Sequence, residues 1–214
     1  MQKNVDRIEH KFLQIFPEGL SGDDWNNAGK RHNPDKIFEI FQTELTKEAL
    51  ELTLDSGDYE ETIDAITAAV RRVSVISVFE KFAFKNYIAH QEIHGPFLEA
   101  LYQFMYNFNE ESFDGLVSVL LRYRHEKNTN PAKWPVVSFF KAYADPDNYV
   151  FVKPNTVKGE ARVMEWDIQY KSMPNYQTYM QVMEMVKAFR KHSTLCQNEN
   201  LMITQAVMFC ALEL

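Results

Sequence analysis

The sequence predicts an all-α protein of about nine to eleven helices, with at most one short β element near residues 149–152. Three observations carry this expectation. Apolar residues recur every three or four positions through almost the whole chain, the period of helices that bury one face. Alternating β-branched and aromatic residues, the mark of a half-buried strand, occur at one place, Tyr149-Val-Phe-Val152. Lastly, 45% hydrophobic and 25% charged residues over 214 positions suit a folded chain with a sizeable core, so residues 1–214 read as a single helical domain.

Val5, Ile8, Phe12, Ile15 and Phe16 form the first helical stripe, which ends at Pro17; Gly19, Gly22 and Gly29 with Asp23, Asp24, Asn26 and Asn27 then read as a loop. Pro34 suits the first turn of a helix carrying Ile37, Phe38, Ile40 and Phe41, and Thr46 suits the cap of the next. Asp58-Tyr-Glu-Glu61 has the spacing of a capping box ahead of Ile63, Ile66, Val70 and Val73. Residues 75–87 predict another helix, after which the chain turns at Gly95-Pro96 into Phe97, Leu98, Leu101, Phe104 and Met105. Asn109 suits the cap of a helix through Phe113, Leu116 and Leu120 that runs out in the basic stretch Arg122-Tyr-Arg-His-Glu-Lys127. Asn128-Thr-Asn-Pro131 reads as a linker, which allows a sub-division into an acidic half, 1–127, and a mildly basic half, 131–214. Beyond it lie Trp134 to Phe140, the turn Asp145-Pro-Asp147, the strand candidate, and helices over 156–164, 175–192 and 198–212.

The formal net charge is −7, so the chain as a whole repels phosphate backbones and anionic membranes, and any nucleic-acid contact needs a local patch. The charge is uneven: 14 basic and 22 acidic residues in 1–129, against 9 and 6 in 130–192. No apolar run approaches the roughly 18 residues of a membrane span, and the start of the chain lacks a signal-peptide pattern, so a cytoplasmic protein with no membrane partner is expected. Two cysteines, Cys196 and Cys210, among apolar helical residues suit packing in a reducing compartment.

His90-Gln-Glu-Ile-His94 places two imidazoles four apart, a spacing that binds zinc on one helix face, but no third ligand stands nearby; His192 and Cys196 make a similar half-site. Gly-x-Ser-x-Gly and the glycine loops that cradle phosphates are absent, so no cofactor and no catalytic residue is assigned. Asp145 and Asp147 flank Pro146 as turn formers.

The stretch from Val152 to Lys171 stands apart. If Thr156 caps a helix, its free amides with Lys153, Lys158 and Arg162 form an anion site at residues 153–162, and Trp166, Tyr170 and Lys171 follow as interleaved aromatic and basic groups of the kind that hold single strands. The competing reading makes Trp166, Tyr176, Tyr179, Met180, Met183, Val186 and Phe189 core residues. The methionines near the end read as gap fillers, and the helix at Leu201 to Leu212, apolar on nearly all sides, as central or covered by another subunit.

The strings Lys133-Trp-Pro, Tyr149-Val-Phe-Val-Lys-Pro154, Pro174-Asn-Tyr-Gln-Thr-Tyr179 and Leu201-Met-Ile-Thr-Gln-Ala-Val207 resemble a group of uncharacterised bacterial helical proteins over residues 115–212, with a weaker echo in Ser56 to Glu61 and Phe79 to Lys81. The chain departs from the group in Asn200-Leu-Met-Ile-Thr-Gln205, where two carboxylates are expected. The resemblance implies a bacterial or phage protein associated with DNA-processing or defence systems, and implies no activity.

The expectation is therefore a non-enzymatic binding or adaptor protein that holds an anionic partner, nucleic acid or phosphate, at the 153–162 segment. The alternative is a protein-interaction module that offers Asp55, Asp58, Glu60, Glu61 and Asp64 of the acidic half to a basic partner protein. A zinc hydrolase at His90 and His94 is the third reading.

Overall fold

The computed structural model describes residues 1–30, 34–122 and 130–212. Among the described residues there are twelve α-helices and no strands: α1 Gln2–Ile15, α2 Asp23–Lys30, α3 Pro34–Thr43, α4 Lys47–Ser56, α5 Glu60–Arg72, α6 Val78–Ile88, α7 His94–Tyr106, α8 Glu110–Arg122, α9 Trp134–Ala144, α10 Pro154–Met164, α11 Tyr176–His192 and α12 Leu201–Cys210. The all-α class stands, with one helix more than expected.

The extra helix is α2, where the glycines and asparagines suggest a loop. Asp23 and Asp24 occupy its first turn, where carboxylates oppose the positive end of the helix dipole. Trp25 then packs edge-on against Phe12 and Phe16 of α1, so tertiary packing overrides weak local propensity. The expected caps form at Thr46, whose side chain accepts the Ala49 N–H, and at Asn109, which accepts the Ser112 N–H. The capping box at Asp58 does not form: Gly57, at φ +72°, ends α4, and Tyr59 occupies the cap position of α5 without a side-chain bond. Gly95 and Pro96 lie inside the first turn of α7, where the missing proline N–H has no intrahelical acceptor to lose.

The centre of the protein is α9. Its residues from Trp134 to Tyr143 are all buried, and it packs on α3, α6 and α7. Around it Phe41, Phe84, Phe97, Phe139 and Phe140 meet mainly edge-to-face. The C-terminal helix α12, apolar on nearly all sides, buries Leu201, Thr204, Gln205, Val207 and Met208 against α1, α10 and α11 and leaves its other residues half-buried. Met183 and Met185 are buried beside Val186 and Phe189, as gap fillers. Helices from both sides of residues 128–131 pack on one another, α1 against α10, α11 and α12. Residues 123–129, which include most of the basic run and half of the linker, lie outside the described residues.

The expected β element at Tyr149 to Val152 does not form: the segment is neither helix nor strand. Its backbone bonds go to side chains: Val150 C=O accepts from Tyr179 Oη at 3.1 Å, Phe151 N–H donates to Gln205 Oε1 at 3.1 Å, and Val152 N–H donates to Ser138 Oγ at 2.9 Å. With Val150 and Val152 fully buried, three separate helices satisfy what a neighbouring strand would otherwise satisfy.

Candidate functional site

The residues of α10 divide by helical spacing. Val157, Glu160, Ala161 and Met164 face the core, while Lys158 and Arg162, four apart, share the exposed side. Thr156 does not cap the helix. Pro154 and its fixed φ start it two residues earlier, Lys153 holds the cap position, and Thr156 lies in the first turn. Lys153 thus stands roughly 14 Å along the axis from Arg162, at a rise of ~1.5 Å per residue.

At the other end α10 closes with Glu165 in the left-handed region, φ 55°, and the Trp166 N–H returns to Ala161 C=O at 2.9 Å. The following turn is fixed in detail. Asp167 Oδ1 accepts the Gln169 N–H at 2.9 Å, Gln169 is itself left-handed at φ 48°, and its carbonyl accepts the Thr178 hydroxyl at 2.8 Å. This brings Tyr170 back under α10, where Lys158 Nζ sits 5.0 Å from the ring centroid, a cation–π contact. Burial raises the Tyr170 pKa. Trp166, half-buried, directs its indole N–H to Gln181 Oε1 at 3.4 Å.

The result is an open cleft of about 400 Å³ to which Lys158, Arg162, Trp166 and Tyr170 all contribute. Four of the seven residues singled out from sequence therefore converge. Lys153 and Thr156 remain at the helix start, and Lys171 is exposed beyond the turn, its carbonyl accepting the Trp134 indole N–H at 2.8 Å. Sequence reasoning missed Glu165 and Asp167, which also line the cleft and bring two carboxylates to two cations. Their signal was present in Glu165-Trp166-Asp167, acidic residues on either side of the aromatic one.

The other candidates separate. His90 precedes a 3-10 turn and His94 opens α7, so the two do not share a helix face; the His94 Nε2 pairs with Ile88 C=O at 2.9 Å. No group of three or more metal-ligating side chains forms among the described residues. His192 Nδ1 turns back to Ala188 C=O, and burial pushes the buried Cys196 thiol up to about 11, the state of a packing residue. Asp145 accepts Asn148 side-chain N–H bonds within its turn. Asp55, Asp58, Glu60, Glu61 and Asp64 are all exposed. Among the described residues no helix is long and apolar enough to cross a membrane.

Compared with protein-family models, curated proteins and solved structures, the chain matches none.

Proposed function

We propose that the protein is a binding protein whose cleft between α10 and the 165–170 turn holds an anionic ligand bearing a flat ring, with single-stranded nucleic acid the class that uses both features. The convergence of Lys158, Arg162, Trp166 and Tyr170 on one open cleft carries this reading. Aromatic faces stack bases at roughly 1–3 kcal/mol each, and the two cations each supply a phosphate contact. The two carboxylates at the rim hold the electrostatic part down. Two phosphate contacts to a single strand give a log–log salt slope near −1.4, so affinity falls only about sevenfold between 50 and 200 mM salt.

Fluorescence anisotropy with labelled single-stranded DNA, duplex DNA and RNA at those two salt concentrations tests this. The expected result is binding of single strands, lost in the Lys158→Ala, Arg162→Ala variant and in Trp166→Ala, and retained in Lys153→Ala. Equal binding by wild type and the cleft variants, or none at low salt, overturns it. The exposed carboxylates from Asp55 to Asp64 favour a second reading, a basic protein partner, which retained interaction in the cleft variants would support.

A further inference from the structure

Of the sixteen phenylalanines, only Phe79 and Phe82 are exposed, at 87% and 58%, and they stand on α6 beside Val78 at 78%. The three lie at i, i+1 and i+4, on the side of the helix opposite Ala83, Phe84, Tyr87 and Ile88, which enter the core. Three such side chains left together in water form an exposed apolar patch whose burial against a partner is favourable.

The patch has a charged border. Arg71 and Arg72 end α5, and Lys81 and Lys85 lie on α6; the Lys81 ammonium donates to the backbone C=O of Arg71 at 2.9 Å and so ties α6 to the end of α5. Residues 71–88 contain one carboxylate, Glu80, and it is occupied: it accepts the Ser77 N–H at 2.9 Å in a capping box that also fixes the start of α6. A stretch of net +3 thus carries an apolar face in a chain of net −7.

We propose that the outward face of α6 docks an acidic amphipathic helix of a partner protein, its apolar stripe covering Val78, Phe79 and Phe82 and its carboxylates meeting Arg71, Arg72, Lys81 and Lys85. Charge complementarity selects this occupant. A two-fold pairing of α6 with a second copy would set the same four cations against themselves. An anionic bilayer would meet the repulsion of the whole acidic chain for three apolar side chains gained.

The probe is a labelled 15-residue helical peptide with Leu at i, i+3, i+4 and i+7 and Glu or Asp on its flanks, titrated with the full chain, beside its counterpart carrying Lys for every acid. The acidic peptide is expected to bind at least tenfold tighter than the basic one. The Phe79→Ser, Phe82→Ser variant is expected to lose at least tenfold, and Arg71→Ala, Lys85→Ala to bind more weakly with a flatter salt dependence; both leave the circular dichroism spectrum unchanged because the side chains are exposed. Absent binding, or binding indifferent to the serine substitutions, overturns the proposal. So does self-association in sedimentation that the serine variant abolishes, which gives the face to a second copy. Binding to 30:70 phosphatidylglycerol:phosphatidylcholine vesicles without peptide binding gives it to lipid.

Discussion

Glu9 on α1 accepts the hydroxyl of Ser193, 184 positions later, and this contact is the centre of a cluster. The same carboxylate accepts the Thr194 N–H at 2.7 Å, the Thr194 hydroxyl at 3.0 Å and the Leu195 N–H at 3.0 Å, and Ser193 Oγ in turn accepts the Cys196 N–H. A single buried side chain of the first helix thereby caps the backbone that leaves α11. Charge-assisted bonds of this kind count for roughly 1.5–3 kcal/mol each when a donor is left stranded. Glu9→Ala is expected to lower stability by about 3 kcal/mol and Glu9→Gln by less, read from urea midpoints. A change below about 0.5 kcal/mol in Glu9→Ala would contradict this account.

Glu160 faces the core on α10, fully buried, with Oε1 unpartnered and Oε2 taking only a 3.4 Å bond from Gln205. Burial pushes its pKa up to about 8. Because the folded value lies above the ordinary 4.5, the native state holds the proton more tightly than the unfolded chain, and stability falls as pH rises from about 4.5 through about 8. The slope from this group approaches about 1 kcal/mol per pH unit. Glu160→Gln is expected to flatten the stability profile between pH 5.5 and 8.5 relative to wild type; parallel profiles would refute the assignment.

Lys141 is buried on α9, donates to Met105 C=O, and lies 4.2 Å from the centroid of Tyr149 and 5.5 Å from that of Phe108. Desolvation lowers its pKa while Asp145, one turn on, opposes that shift. A double-mutant cycle of Lys141→Met with Tyr149→Leu is expected to give a coupling energy of about 1 kcal/mol. Simple additivity would show that the ring contributes area and not charge attraction.

The αL position of Glu165 carries strain that glycine avoids. Glu165→Gly is therefore expected to raise stability by roughly 0.5–1 kcal/mol, and, by removing a carboxylate from the cleft rim, to tighten anion binding at low salt. Glu165→Ala separates the two effects: it should share the gain in affinity without the gain in thermal midpoint.

Helical period was sufficient to read α1, α5, α8 and α11, because each buries an apolar stripe at helical spacing. It was insufficient for α2, whose stability comes from Trp25 reaching back to Phe12 and Phe16, a contact invisible in a local window. The alternation at Tyr149 to Val152 predicted a strand that does not form, since the groups that bond its backbone, Tyr179, Gln205 and Ser138, lie on three helices. In the cleft, the i, i+4 pair Lys158 and Arg162 was legible; the reversal at Glu165 that carries Tyr170 under Lys158 was not, because a non-glycine residue gives no sign of positive φ.

The packing of α1 on α10, α11 and α12 also orders events in time. Roughly 200 residues separate the synthesis of α1 from that of α12, an interval of about 10 to 40 s at usual elongation rates. Throughout it Val5, Ile8 and Phe12 lack their final cover on the ribosome, so a helix made early is among the last to be housed.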